Sequence, residues 1–230
     1  MDVVAMHIAN GIINGPVSAI FLGVAAAGLA VCVWRARVDL DDRLAPMAGL
    51  VAAFIFAVQM LNFGVLPGVS GHLLGGTLAV ILVGPWVGAL CVSTVLIVQA
   101  LVFGDGGLTA LGLNITNMAL IGAAAAYLLV ALLLRVLPKT ANGLGATAFI
   151  ASIVGVVLAS QGFVLEYALG GTTDLSLAGV AGTLAGVHVL IGIGEGLIAA
   201  TTVVTVAKVR PDLVYALRAF RKPIPAGAAA

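Results

Sequence analysis

The residues best equipped for chemistry in this chain are three histidines, His7, His72 and His188. Imidazole nitrogen is a donor for Zn, Cu, Ni and Co, whereas Mg and Ca prefer carboxylate and carbonyl oxygen. No linear ligand motif joins His7 to His72, so the fold would have to assemble a shared metal site; taken singly, each histidine also suits a hydrogen-bonded core position. The stretch 59–76, QMLNFGVLPGVSGHLLGG, is more telling. Broken by Gly and Pro, it cannot lie against lipid, where each unpaired backbone group costs several kcal/mol, and it is expected to line a protein-enclosed or wet site. Within it Ser70-Gly71-His72 is predicted to open a helix. The amides of Gln59 and Asn62, at i and i+3 on the preceding helix, either orient the imidazoles through a second layer of hydrogen bonds or act as polar contacts between helices. Asp105, in the turn FGDGG (103–107), is either a turn residue or a charge that draws cations inward. His188 and Glu195 stand seven residues apart, near one face of a helix in an apolar segment where ionisable groups are expensive. A structural, hydrogen-bonded role is expected for both, with a place behind the metal ligands as the alternative. Cys32 and Cys91 are isolated thiols in apolar runs and are read as small core residues.

The elements that must position these groups are membrane helices. The chain is 62% hydrophobic and 8% charged with mean hydropathy +1.24, against roughly 25% charged residues in a soluble domain. Its 230 residues leave room for about seven spans of ~20 residues and for no extramembrane domain. The predicted spans are 16–35, 44–63, 72–83, 86–103, 110–137, 144–169 and 180–208, in one integral membrane domain (1–222) followed by a flexible tail, 223–230. Every Lys and Arg falls in one of three clusters, Arg35/Arg37/Arg43, Arg135/Lys139 and Lys208 to Lys222. The positive-inside rule then puts the ends of spans one, five and seven in the cytoplasm, with the N-terminus outside and the C-terminus inside. The external loops then contain Asp105, Glu166 and Asp174 and no basic residue. This parity requires the Gly84-Pro85 break to be a turn rather than a kink. The first cation, Arg35, follows the first apolar run, so that run is expected to be a retained helix rather than a signal. Small-residue pairs Ala26/Ala30, Ala48/Ala52 and Ala53/Ala57 suit either packing within the bundle or docking of a membrane partner. The net charge of +1 comes from residues bordering the membrane and indicates no nucleic-acid patch.

Four blocks carry a resemblance. Met6-His7-Ile8-Ala9-Asn10-Gly11 resembles an amino-terminal MHI-x-[DN]-G signature. The segments 59–76, VQALVFGDGGLTALGLNITNM (98–118) and GVHVLIGIGEGLI (186–198) resemble, in order, the other blocks of the CbiM/NikM proteins, the substrate-binding S components of energy-coupling factor (ECF) transporters for cobalt and nickel. Nearly the whole chain is covered. The resemblance implies an all-α membrane protein, a seven-transmembrane-helix bundle of the ECF S-component type, with an extra N-terminal helix and the amino terminus tucked into the bundle from outside. It also implies metal ligation by a starting Met-His pair, through the terminal amine, the His amide nitrogen and the His ring, plus the ring of the SGH histidine. Those positions are Met6, His7 and His72 here. Such a set closes adjacent chelate rings, and planar nitrogen ligation favours Ni(II) or Cu(II) by geometry. The sequence departs from the pattern in one place: Met6 is preceded by Met1-Asp2-Val3-Val4-Ala5, so its nitrogen is a peptide amide as written. Either translation begins at Met6, the reading preferred here, or the extension is trimmed, or the site is altered, with Asp2 supplying a carboxylate or His7 binding through its ring alone.

No G-x-x-x-x-G-K-[ST] loop occurs in the sequence, so the chain is not expected to energise transport itself. The expected function is a non-catalytic metal-capture subunit of an ECF-type importer in a bacterial or archaeal cytoplasmic membrane. Its substrate would be Co2+, placed ahead of Ni2+, with no organic cofactor. The resemblance implies as partners a T-component membrane subunit (CbiQ/NikQ-like), two ATPase subunits (CbiO/NikO-like) and a small accessory membrane subunit (CbiN or NikN/NikL-like), with the lipid bilayer as surroundings and no nucleic acid. The alternative, a stand-alone secondary transporter or channel for a divalent metal, would need mid-membrane carboxylates or a polar pore, for which only Glu195 and Glu166 present themselves. An intramembrane metalloprotease would need HExxH-like ligands, and the sequence has none.

Overall fold

A computed structural model describes residues 7–39, 44–60, 63–66 and 69–220. Met6, Asn62 and the tail 223–230 lie outside the described residues, as does the side chain of Ser70. The apolar runs form helices: α1 (Gly15–Asp39), α2 (Leu44–Gln59), α3 (Gly76–Val83), α4 (Pro85–Val98), α5 (Leu111–Asn114), α6 (Gly122–Val136), α7 (Ala141–Gly170), α8 (Leu177–Val209) and α9 (Tyr215–Ala219). A π-helical turn, Gln99–Phe103, extends α4, and a second π-helical stretch, Ile115–Ile121, joins α5 to α6. Five continuous helical runs, 15–38, 85–103, 108–136, 141–170 and 177–209, are long and apolar enough to cross a membrane, and α2 is a shorter apolar helix.

Helix limits follow local chemistry. Thr140 and Ser176 cap α7 and α8, their hydroxyl oxygens accepting from Gly143 N and Gly179 N. Pro85 takes the first turn of α4, where no partner is needed for an amide hydrogen. On α6, Leu128, Leu132 and Val136 are exposed at four-residue spacing while Ala126, Val130 and Leu134 are buried, which separates an outward apolar stripe from a packed one. Helices α7 and α8 pack along their length, and glycine permits the approach: a Cβ on Gly192 would lie 2.7 Å from Ile153 Cα. Ala48 and Ala52 pack against the core, whereas Ala26, Ala30, Ala53 and Ala57 are exposed.

Three expectations need correction. The Gly- and Pro-rich stretch forms an antiparallel hairpin, β1 (Phe63–Leu66) with β2 (Val69–Gly71), whose ladder pairs Phe63 with Gly71 and so satisfies backbone groups that lipid would leave unpaired. His72 does not open a helix; α3 begins four residues later, after Gly75 turns through φ +79°. Every residue of α3 is buried, and its eight residues span about 12 Å at 1.5 Å per residue. Glu166 belongs to α7 rather than to a loop and is 0% exposed.

The bundle has two chemically distinct ends. At one, the Arg35 guanidinium lies 5.8 Å from the Trp86 ring centroid, Lys139 Nζ donates to the Phe220 carbonyl, and Tyr215 fills the space beside Gly84, the hinge between α3 and α4. At the other, the segment 7–14 enters the bundle. Gly107 N donates to Ile8 O (3.0 Å), Asn14 N to Gly170 O (2.8 Å) and Thr172 N to Ile12 O (3.1 Å), and Ile13 bridges Gly171.

Candidate metal site

Residues 7–14 precede α1 as non-helical chain, so their peptide groups need partners from elsewhere. Asn114 supplies them at Ile8: its Oδ1 accepts from Ile8 N (3.1 Å) and its Nδ2 donates to Ile8 O (3.5 Å). Asn10 Oδ1 accepts from Thr109 N (3.0 Å) and Thr109 Oγ1 (2.7 Å). The loop between the two π-helical stretches is thereby fastened over His7. Only glycine fits at 106, where φ is +84° and a Cβ would stand 2.9 Å from His7 Cβ.

His72 is held from two sides. Gln59 Nε2 donates to Leu74 O (2.9 Å), and Glu195 Oε2 accepts from Leu74 N (2.6 Å) and Gly75 N (3.1 Å). Gln59 therefore clamps the backbone beyond His72 instead of its ring. Glu195 sits at the N-terminal end of α3, where unpaired amide hydrogens favour an anion. It too positions the strap rather than touching an imidazole.

Held in this way, the rings of His7 and His72 meet with centroids 4.5 Å apart and planes tilted by 52°. Both are buried, with the His7 side chain 2% exposed. His72 Nδ1 lies 2.8 Å from Leu73 O. A carbonyl can only accept, so Nδ1 carries the hydrogen and Nε2 keeps its lone pair. His7 Nδ1 lies 3.2 Å from Asp105 Oδ1, but the contact lacks hydrogen-bond alignment; among the described residues neither ring nitrogen of His7 has a hydrogen-bond partner. Buried polar atoms are normally satisfied, so an imidazole whose nitrogens lack hydrogen bonds, set between a carboxylate and a second imidazole, marks a candidate ligand position. A transition-metal ion at ~2.0–2.1 Å from one nitrogen of each ring can bridge centroids at this separation.

The pair opens on a cavity of about 380 Å³ whose wall includes Asn117, Phe163 and His188. His188 Nδ1 lies 2.8 Å from Leu184 O on its own helix, so its contact is structural and its ring forms cavity wall. No group of three or more His, Cys, Asp or Glu side chains with metal-holding geometry occurs among the described residues. The two imidazoles are the candidate side-chain donors, and further donors would have to come from backbone or solvent. Asp105 faces His7, as a carboxylate that orients a metal-bound imidazole does. The sequence reading gave no role to Asn114 or Asn117; the available signal was a pair of asparagines at i and i+3 in an otherwise apolar run.

The family profile described as the cobalt uptake substrate-specific transmembrane region matches residues 7–213. The chain is 36% identical over 209 residues to a putative fused nickel transport protein NikMN of Archaeoglobus fulgidus, covering 91% of this chain and 68% of that one. It is 29% identical over 223 residues to the cobalt transport protein CbiM of Sorangium cellulosum, covering 94% and 97%. A crystal structure of a transition metal transporter superposes with a TM-score of 0.79 at 27% identity, covering 89% of this chain and 93% of that one.

Proposed function

The chain belongs to the CbiM family of cobalt uptake substrate-specific transmembrane regions, and from that premise we propose that it is the metal-binding S component of an ECF-type importer for Co2+ or Ni2+. The observation that carries this reading is the convergence of His7 and His72, centroids 4.5 Å apart, with both nitrogens of buried His7 lacking hydrogen-bond partners among the described residues. Two neutral imidazoles select a borderline transition-metal ion over Mg2+ or Ca2+.

In this reading the donor set is His7 and His72 with backbone nitrogen of the Met6–His7 segment, including the terminal amine in a chain that starts at Met6. The fold is a seven-helix bundle in one domain, counting α2 and the 72–83 segment as spans and α1 as the extra N-terminal helix. The histidine end faces outside and the cationic end the cytoplasm, as the separation of Arg35, Lys139 and Arg135 from His7 supports. The subunit carries no catalytic activity and no organic cofactor. A T component and two ATPase subunits drive release of the ion, and the fusion named in the NikMN relative supports a small N-type accessory partner.

Replacing His72 by Ala tests this directly. Loss of at least about 100-fold in Co2+ and Ni2+ affinity by calorimetry, with the helical circular dichroism of the wild type, is expected for removal of a ligand. Unchanged affinity refutes the site. Co-purification of ATPase subunits supports the ECF assembly, and metal uptake by the chain alone in liposomes refutes it.

A further inference from the structure

Two carboxylates are buried within the helices apart from the imidazole pair, Glu166 on α7 and Glu195 on α8. The charge of Glu195 is met by two backbone N–H groups at the start of α3. Glu166 is provided for differently. It is 0% exposed; its Oε2 accepts one hydrogen bond, from Asn117 Nδ2 at 2.8 Å, and its Oε1 has no partner among the described residues. The carbonyl oxygen of Asn117 is likewise buried and without a partner, and Asn117 lies in the wall of the cavity shared by His7 and His72. On α7, Ala159, Phe163 and Glu166 follow one another at steps of four and three and so form one stripe; the first two line that cavity. The carboxylate therefore lies behind the cavity wall, in contact with Asn117, which lines it.

We propose that Glu166, oriented by Asn117, is the counter-charge for the divalent cation held at His7 and His72. The inference rests on the metal-binding reading above and extends it. The two imidazoles are neutral donors and leave the double charge of the cation to be met by groups around the cavity. Asp105 beside His7, the His7 peptide nitrogen, which loses its proton where it ligates, and Glu166 behind Asn117 meet that charge together. A cation moved from water into a protein interior is held there only when opposite charge accompanies it. Glu166 acts through the field and not as a ligand, because the amide of Asn117 stands between its carboxylate and the cavity.

The test uses the full chain in detergent, stripped with chelator, with CoCl2 and NiCl2 as probes. Glu166→Gln keeps the shape and an acceptor oxygen for Asn117 while removing the charge; Glu166→Asp keeps the charge. The expected result for Glu166→Gln is Co2+ affinity lowered about 10- to 100-fold, a metal-free thermal midpoint equal to or above wild type, and a smaller metal-induced rise in that midpoint. Glu166→Asp is expected to stay close to wild type in affinity. A merely structural glutamate gives the opposite signature, a lower metal-free midpoint with affinity unchanged, and that result overturns the proposal. If Glu166→Gln does not accumulate, Asn117→Leu, which strips the orienting amide, is expected to lose affinity by a similar factor, and unchanged affinity overturns the proposal. Wild-type protein that binds neither ion overturns the underlying metal-binding reading; wild type that binds beside an equally tight Glu166→Gln overturns the counter-charge alone.

Discussion

Removing the carboxylate of Glu195 should loosen the strap that presents His72. Glu195 Oε2 accepts from Leu74 N at 2.6 Å and Gly75 N at 3.1 Å, both buried and both just beyond His72. Hydrogen bonds to a charged group are worth about 1.5–3 kcal/mol each, so Glu195→Ala should cost about 3–6 kcal/mol and leave two amide hydrogens bare. Glu195→Gln keeps a neutral acceptor worth about 0.5–1.5 kcal/mol per bond, and should lose roughly half as much. The strap does not come free in either variant, because Gln59 Nε2 still holds Leu74 O from the other side. Its placement loosens, and second-layer losses of this kind lower metal affinity about 10- to 100-fold. The thermal midpoint in detergent and the Co2+ dissociation constant by calorimetry should fall together, in the order wild type, Gln, Ala. An Ala variant matching wild type in both would refute the reasoning, since the hairpin and α3 would then place His72 without the carboxylate.

Gly106→Ala should be disproportionately damaging for a loop position. A φ of +84° and a Cβ 2.9 Å from His7 Cβ combine an αL penalty of about 1–2 kcal/mol with overpacking of about 1–3 kcal/mol, and the displaced atom belongs to a proposed ligand. Reduced Co2+ affinity by calorimetry checks it, and wild-type affinity would show that the loop yields without moving His7. His188→Ala should change Co2+ affinity by less than about tenfold, far less than His72→Ala, because His188 Nδ1 is engaged by Leu184 O on its own helix and the ring only lines the cavity. A loss equal to that of His72→Ala would make His188 a ligand.

Much of this architecture was legible because the relevant signals are local. Apolar runs of bilayer length and the filing of cations between them depend on neighbours in sequence. The hairpin escaped because Gly, Pro and Ser in 64–71 read as loop, while its pairing of Phe63 with Gly71 depends on a turn at positions whose spacing alone does not specify a register. Glu166 was placed in the external loops by the order of the spans; its burial and its hydrogen bond from Asn117, 49 residues away in sequence, depend on how the helices pack. Likewise, Gln59 and Glu195 were legible as buried polar groups but not as two sides of one clamp on Leu74, since that requires knowing how α2, α3 and α8 pack.

The buried polar side chains become a single pattern once His7 and His72 are seen to lie outside helices. In a helix interior the backbone nitrogen is committed to the carbonyl four residues before it, so a site drawing on main-chain nitrogen, or needing two rings from distant segments face to face, requires unwound chain. Unwound chain inside an apolar bundle leaves peptide groups without partners, at a cost of about 1–3 kcal/mol for each one unsatisfied. Asn114 answers this at Ile8, one residue after His7; Gln59 and Glu195 answer it at Leu74 and Gly75, two and three residues after His72. Each clamp is anchored on a neighbouring helical run, α5, α2 or α8, so the approach of the two rings is set by how those runs pack. Displacement of either α2 or α8 relative to α5 would separate the imidazoles without unfolding a helix, and this gives such a site a mechanical route to surrendering its ion.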